Sequence, residues 1–461
     1  MKKFLLISCF FCSLLGYGQQ ELTLHFMPGI GQAAYTNPAF TPTHKVVIGL
    51  PGISSNYFQF ANTGFNYNDL ITTELDGTKI LTVNNFVNGL EDENYMQANA
   101  NLDLFHLTFK ANSRLFLSLS MRVRTFKRLM YPKDLFSFVV EGNGSSLSQT
   151  LNLSPQMESS SYAEIGVGGS YSVNEKLNLG ARLKIIGGIE NATTEYSDFE
   201  ITTYEDNYDI HLQAGTSILT SNIQRWDEEE FDMANMGEYM SNRGVALDFG
   251  ATYQFSDRFS MGLSLLDLGY VKWSQNTHEY FMDPENASYT FSGGDVDDLM
   301  EDGKGPFDSM IDAAEENFQF ENRTIEAYST AIPSRAYLSG SYSITGSTTF
   351  GTVFFTEKYK ERWNNGLSVN LAQKLGNFIT ASASYSAMNN SYDNVGGGLS
   401  INLTPLQIYV VSDNLLTAAY HAAAKGVLND YINNAKSVNL GFGINFVFGR
   451  PKKAPSIDTE S

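Results

Sequence analysis

The six histidines, at positions 25, 44, 106, 211, 278 and 421, have none of the spacings that hold a metal ion. The chain also lacks Gly-x-Ser-x-Gly, His-Glu-x-x-His and a phosphate-binding glycine loop. A lipid-cleaving barrel needs a Ser–His pair on its outer face. His106 has Thr108 beside it, but strand parity turns that face inward. These residues predict no enzyme, no metal and no cofactor. What remains is charge at regular places. Arg122, Arg124, Glu164, Arg182, Lys184, Asp248 and Arg335 all fall on the small, polar side of alternating segments. Counted from the nearest tight turns, Arg122, Glu164, Lys184 and Asp248 lie at similar heights on successive strands, so opposite charges are neighbours within pairing reach. Two chemistries suit such a belt. One is an ion-pair ladder that fills a lumen; the other is a selectivity filter along a solute path.

Long period-two strands must position these charges. Leu115, Leu117, Leu119, Met121 and Val123 alternate with Ser118, Ser120, Arg122 and Arg124. Leu177 to Ile185 and Val245 to Phe255 alternate in the same way. The closing stretch, "SVNLGFGINFVFGR" from Ser437, sets Val438, Leu440, Phe442, Ile444, Phe446 and Phe448 against glycine and asparagine. Such strands run to about ten residues, the length that crosses a bilayer at a tilt, whereas soluble strands are usually about half that. We read strands at 45–52, 102–111, 114–125, 160–173, 176–189, 245–256, 259–272, 334–345, 348–356, 365–374, 377–387, 395–403, 406–412 and 437–448, about fourteen in all. Very short links, such as Asn112-Ser113, Asn174-Glu175 and Gly346-Ser347, alternate with long ones at 53–101, 126–159, 190–244, 273–333 and 413–436. The expected fold is therefore all-β: a transmembrane antiparallel β-barrel over 45–448, with tight turns and both termini on the periplasmic side.

Composition agrees. Charged residues make up 17% of the 461-residue chain and aromatics 13%, with 39 glycines and only 12 prolines. A net charge of −20 excludes nucleic acid as a partner. Lys2 and Lys3, the apolar run Phe4 to Leu15 and then Gly16-Tyr-Gly18 read as a signal peptide over 1–18, which implies export. Both cysteines, Cys9 and Cys12, lie within it, so the mature chain has no thiol chemistry. No run of eighteen apolar residues follows, so no helix is expected to span a membrane.

Residues 19–44, too irregular for a strand and bearing apolar Leu22, Leu24, Phe26, Ile30 and Phe40, are expected to fold back as a plug. Its turn lies at Asn37, Pro38, Ala39 and Phe40. Residues 449–461 are expected to form a disordered periplasmic tail. Phe307, Met310, Ile311, Ala314 and Phe318 recur at helical spacing within a long outer loop, and a second short helix is expected at Leu135 to Val140. Such helices either cap the mouth or form an apolar landing groove. The acidic loops 225–240 and 293–305 lack calcium-loop spacing and read as solvated, with diffuse bridging of divalent ions to lipopolysaccharide as the alternative.

Several stretches resemble a family of outer-membrane barrels of Bacteroidetes whose function is not known. They are "TNPAF" at 36–40, "KVVIGLPGISSNYF" at 45–58, "LGARLKIIGGIEN" at 179–191, "LLDLGYVKW" at 265–273, "TAIPSRAYLSGSYSI" at 330–344 and the closing "NLGFGINFVFG". That family is similar to the fourteen-stranded long-chain fatty-acid transporters (FadL-like), which carry an Asn-Pro-Ala hatch, and to barrel subunits of the type IX secretion and gliding apparatus. Gly443, Phe446 and Phe448 resemble the C-terminal signal read by the barrel insertion machinery. The resemblance implies a Gram-negative outer membrane with lipid and lipopolysaccharide as neighbours. It also implies one of two functions: a channel for a hydrophobic or amphipathic small molecule, or a non-transporting subunit docking another envelope protein.

Overall fold

The structure, a computed structural model, describes residues 21–64, 71–73, 78–81, 83–223, 241–284, 287–292, 318–360, 362–376, 378–388, 391–414 and 437–449. It is a closed antiparallel barrel of fourteen strands. The first strand, β1, comes in two pieces, Val46–Gly49 and Asn56–Asn62. There follow β2 (Glu93–Lys110), β3 (Leu115–Pro132), β4 (Gln156–Ser172), β5 (Leu177–Thr203), β6 (Asn242–Gln254) and β7 (Phe259–Trp273). The second half comprises β8 (Ser334–Ser343), β9 (Thr348–Tyr359), β10 (Arg362–Leu375), β11 (Ile379–Met388), β12 (Ser391–Leu403), β13 (Leu406–Ser412) and β14 (Ser437–Phe448). Closure is by β1 on β14, with Val46 opposite Phe448 and Asn56 opposite Phe442, as the sequence predicts for first and last strands.

The tight turns repeat one device. Asn112 Oδ1 accepts from the amides of Arg114 and Leu115, and Asn174 Oδ1 accepts from those of Lys176 and Leu177. A short side chain that satisfies two turn amides reverses the chain within a few residues, which keeps this end of the barrel trimmed.

Outward-facing Leu117, Leu183, Leu247, Leu263, Leu338, Leu367 and Phe442 are all exposed, while their sequence neighbours Ser118, Arg182, Asp248 and Ser264 turn toward the lumen. Tyr171, Tyr253, Phe255, Phe259, Tyr342, Phe378 and Phe448 ring the tight-turn end. An exposed apolar band with an aromatic girdle is stable only against lipid, and the chain therefore spans a membrane with its strands. No helix among the described residues is long and apolar enough to do so.

The long links differ from expectation. Region 190–244, read as a link, carries β5 on to Thr203 and then a further strand, Ile210–Ser221, paired along it. Region 273–333 holds strands Thr277–Met282, Ser288–Phe291, Glu321–Thr324 and Tyr328–Ala331. Together they form a sheet standing beyond the mouth. Its strands are covered unevenly on both faces, so no contrast of solvents imposes the alternation that marks the membrane strands. The mouth also carries helices α2 (Val83–Asn88) and α3 (Lys133–Glu141), the second being the helix expected at Leu135 to Val140.

Candidate functional site

The lumen is occupied in layers. Nearest the tight-turn end lies the chain's own segment 21–43. It comprises helix α1 (Leu22–His25), a 3-10 turn at Gly31–Tyr35 and the turn at Asn37-Pro38-Ala39. Leu22 and Phe26 pack with Leu266, Tyr337, Val353, Phe355 and Met388; Leu24, Met27 and Ile30 pack with Tyr409 and Val411. The carboxylate of Asp413 accepts from the Leu22 and Thr23 amides at 3.2 and 2.6 Å, a ready N-terminal anchor for α1. Gln32 and Asn445 exchange side-chain amide bonds at 2.7 and 2.8 Å. His25 stacks on Tyr337, and burial pushes its pKa down to about 3, so the ring sits neutral.

Asn37, Pro38 and Ala39 lie against β5, β6 and β7. Asn37 Oδ1 accepts from the Ala39 amide at 2.9 Å, and Ser170 donates to the Ala39 carbonyl at 3.0 Å. A Cβ on Gly180 would lie 2.2 Å from the Pro38 carbonyl, and one on Gly250 would lie 2.2 Å from Asn37 Oδ1. Glycine is needed there because two backbones approach within van der Waals contact. Phe40 is half-buried beside the His25 ring.

Above this segment the structure gathers the seven predicted charges into one network with partners that were not predicted. Arg122 meets Asp103 at 3.0 Å and Glu164 at 3.6 Å. Arg124 reaches Glu164 at 3.4 Å and Asp267 at 3.0 Å. Asp248 takes Arg182 at 3.3 Å and Lys184 at 2.9 Å. Asp267 is the hub, receiving Arg124, Lys184 and Arg335. The Arg124–Asp267 pair joins β3 to β7, so the network cuts across the lumen and does not merely follow the wall. It also grips the segment below. Arg122 sits 3.9 Å over the Tyr35 ring, the Tyr35 hydroxyl donates to Asp103 at 2.9 Å, and Arg182 donates to the Ala34 carbonyl at 3.0 Å.

Asp103 and Asp267 escaped the sequence reading because β-bulges reverse parity beside each. On β7, Leu265 pairs with Phe249 and Leu268 with Leu247, leaving Leu266 and Asp267 together opposite Asp248. Both turn inward, Asp267 with a left-handed backbone at φ 60° and its amide donating to Asp248 at 2.8 Å. On β2 the slip between Asp103 and Phe105 brings Asp103 and His106 to the same side, three residues apart. His106 does point inward, its ring nitrogens lying 3.0 Å from the Tyr35 hydroxyl and 3.1 Å from Thr108. The signal for both bulges is an acid standing on the lipid-facing parity of a membrane strand, a place it does not tolerate.

At the mouth, Phe86, Val87, Leu90 and Tyr131 form an apolar cluster with Leu135, Phe136 and Val140 of α3. A second cluster joins Ala214, Met282 and Ala287 to Phe199 and Phe318. Phe318 is thus placed at the mouth, while Phe307, Met310, Ile311 and Ala314 lie outside the described residues, as do 1–20, 225–240, 293–305 and 450–461. Phe446 and Phe448 face lipid. A Cβ at Gly443 would strike the Ser54 carbonyl at 2.0 Å, so wall packing alone already requires glycine at that position. No group of three or more metal-ligating side chains occurs among the described residues.

Three solved structures illustrate what the chain is similar to. A Pseudomonas aeruginosa FadL homologue shares 13% identity at a TM-score of 0.40, covering 90% of this chain and 94% of its own. The P. putida toluene transporter TodX shares 10% at 0.42, covering 95% and 99%. A deltaS2S3 mutant of the TodX monoaromatic hydrocarbon channel shares 10% at 0.43, covering 90% and 94%. No curated protein sequence matches. The model of a family of unknown function, DUF5723, matches residues 38–413, which include Asn37's neighbours Pro38 and Ala39 and every charge of the luminal network, and the chain belongs to that family.

Proposed function

We propose that the protein is an outer-membrane channel in its closed state, passing a small apolar or amphipathic molecule when segment 21–43 is displaced. One observation carries this reading. The segment that fills the lumen is held by side-chain contacts and is not a strand of the wall. It can therefore move while all fourteen strand pairings persist. Apolar solute would collect at the mouth clusters around Phe136 and Phe318 and leave past Asn37, Pro38 and Ala39. In this reading the tight turns face the periplasm, and Gly443, Phe446 and Phe448 serve recognition by the insertion machinery. Lipid and lipopolysaccharide cover the outer wall.

Uptake of a labelled alkyl solute by liposomes holding the purified chain tests this. Transport that rises when the segment is loosened by Gly250→Val is expected. No uptake in either protein, together with a stable co-purifying protein and no bound lipid after gentle extraction from native membranes, would sink the channel. That outcome would favour the second reading, a docking subunit of an envelope complex. The sheet formed by β5 and strand Ile210–Ser221 beyond the mouth favours that alternative. β5 is 27 residues long, whereas crossing the bilayer takes only about 9–11.

A further inference from the structure

We infer that the hairpin joining β9 to β10 is an outer gate, latched across the mouth by ion pairs and separate from segment 21–43. The inference rests on the channel reading and adds a second closure to it. Tyr359 and Arg362 are register partners at the hairpin tip; of the two residues joining them, Lys360 is described and has a left-handed backbone at φ 52°, and residue 361 lies outside the described residues. A positive φ is what a two-residue hairpin turn requires, and here a lysine occupies it. Lys360 pairs with Glu158 on β4, donates to Thr193 Oγ1 at 2.8 Å and donates to the Thr194 carbonyl on β5 at 3.1 Å. The Tyr359 hydroxyl donates to Glu158 at 3.1 Å, and its ring meets Phe126 edge-on at 5.2 Å. Arg128 on β3 lies 3.7 Å from Glu357 on β9. Arg362 pairs with Glu93 on β2 at 3.3 Å and stands 4.6 Å over the Tyr95 ring.

None of these contacts is between neighbouring strands. β4 and β9 are five strands apart one way and nine the other in the fourteen-strand ring, so the contacts run through the lumen. Strand spacing and tilt make a circular barrel of this size on the order of 25 Å across, beyond the reach of two opposed side chains. The walls therefore approach one another at these contacts, as they do at the Arg124–Asp267 pair deeper in the lumen, and the side chains of the tip close across the mouth. The tip closes at a different level from the N-terminal segment: Arg128 lies three pleats farther out along β3 than Arg122, which holds Tyr35. Two of its three ion pairs are partly solvated, with the Lys360 side chain 42% exposed and that of Arg362 31%, while Arg128–Glu357 is buried like the network beneath. Partly exposed pairs of this kind are weak and screened by salt, which suits a contact that must release.

Ser386 on β11 lies on the barrel side of the tip, opposite Ser368, which is six residues along β10 from Arg362. It is fully buried, bonded to Ser368 Oγ at 2.9 Å, and one pleat outward from Ser384, which touches Thr23. Both native cysteines precede residue 19, so Ser386→Cys supplies a lone reporter thiol in the exported chain. In the otherwise native full chain it should react slowly with a charged, membrane-impermeant maleimide. With Lys360→Ala or Glu158→Gln it should react about ten-fold faster, and raised salt should mimic the variants. Lys358→Ala, whose ammonium lies over Trp363 on the outer wall, should change nothing. Unchanged labelling in both latch variants, each shown to be a folded barrel by its heat-dependent gel shift, would overturn the gate. Failed solute uptake with latch-dependent labelling intact would instead remove the channel reading and leave the moving tip.

Discussion

Asp267 carries more of the luminal network than any residue the spacing singled out. Three cations converge on it from β3, β5 and β8. A buried pair of this kind need not add net stability, but removing one partner strands the others in a medium that cannot solvate them. Asp267→Asn should therefore lower the unfolding free energy by about 3–5 kcal/mol, read as an earlier denaturant midpoint for the barrel in liposomes. Glu164→Gln should cost less, since Arg124 keeps Asp267 and Arg122 keeps Asp103. The residues absent from the sequence reading share a geometric cause. Asp103 and Asp267 were hidden by bulges. Arg128 and Glu357 lie just past the strand ends expected at 125 and 356, because β3 and β9 run on beyond membrane length to Pro132 and Tyr359.

Among the elements, segment 21–43 tests most directly whether the lumen's filling can be separated from its wall. Gly250→Val places a side chain on Asn37 and should free the segment without unfolding the barrel. Limited proteolysis should then cut within 21–43 while the strands stay protected. The His25 ring supplies a pH dependence whose sign can be worked out. Its pKa is about 3 in place and 6.5 when released, so the released form binds the proton and seating is complete only above about pH 6.5. Between there and pH 3 the seat weakens as pH falls, by about 2 kcal/mol at pH 5. Lower amide protection over 22–36 at pH 5 than at pH 7, with each rate referred to the intrinsic exchange rate at its own pH, and a smaller difference in His25→Gln, are expected. An equal difference in the variant would assign the effect to another group.

For the whole molecule, two solvents meet one wall. Leu247→Arg puts a charge into hydrocarbon and should cost about 2–4 kcal/mol of barrel stability near the midplane, whereas Leu399→Phe on the same face should cost little. Refolding yield into liposomes measures both. That wall was legible from the chain alone, down to its fourteen strands and the meeting of first and last, because alternation between lipid and lumen is written residue by residue into membrane strands. Several turns were legible for a similar reason: a short polar side chain closes them, Asn112 and Asn174 in two and Thr345 in a third. Strand Ile210–Ser221 and the sheet beyond the mouth were not, because no solvent contrast marks them. Nor were the hub at Asp267 and the contact of the β9–β10 hairpin with Glu158 on β4. A side chain's face is fixed by local parity, which sequence carries. Its partner across a closed ring is fixed by bulges, shear and the approach of opposite walls, and these exist only once the barrel has closed.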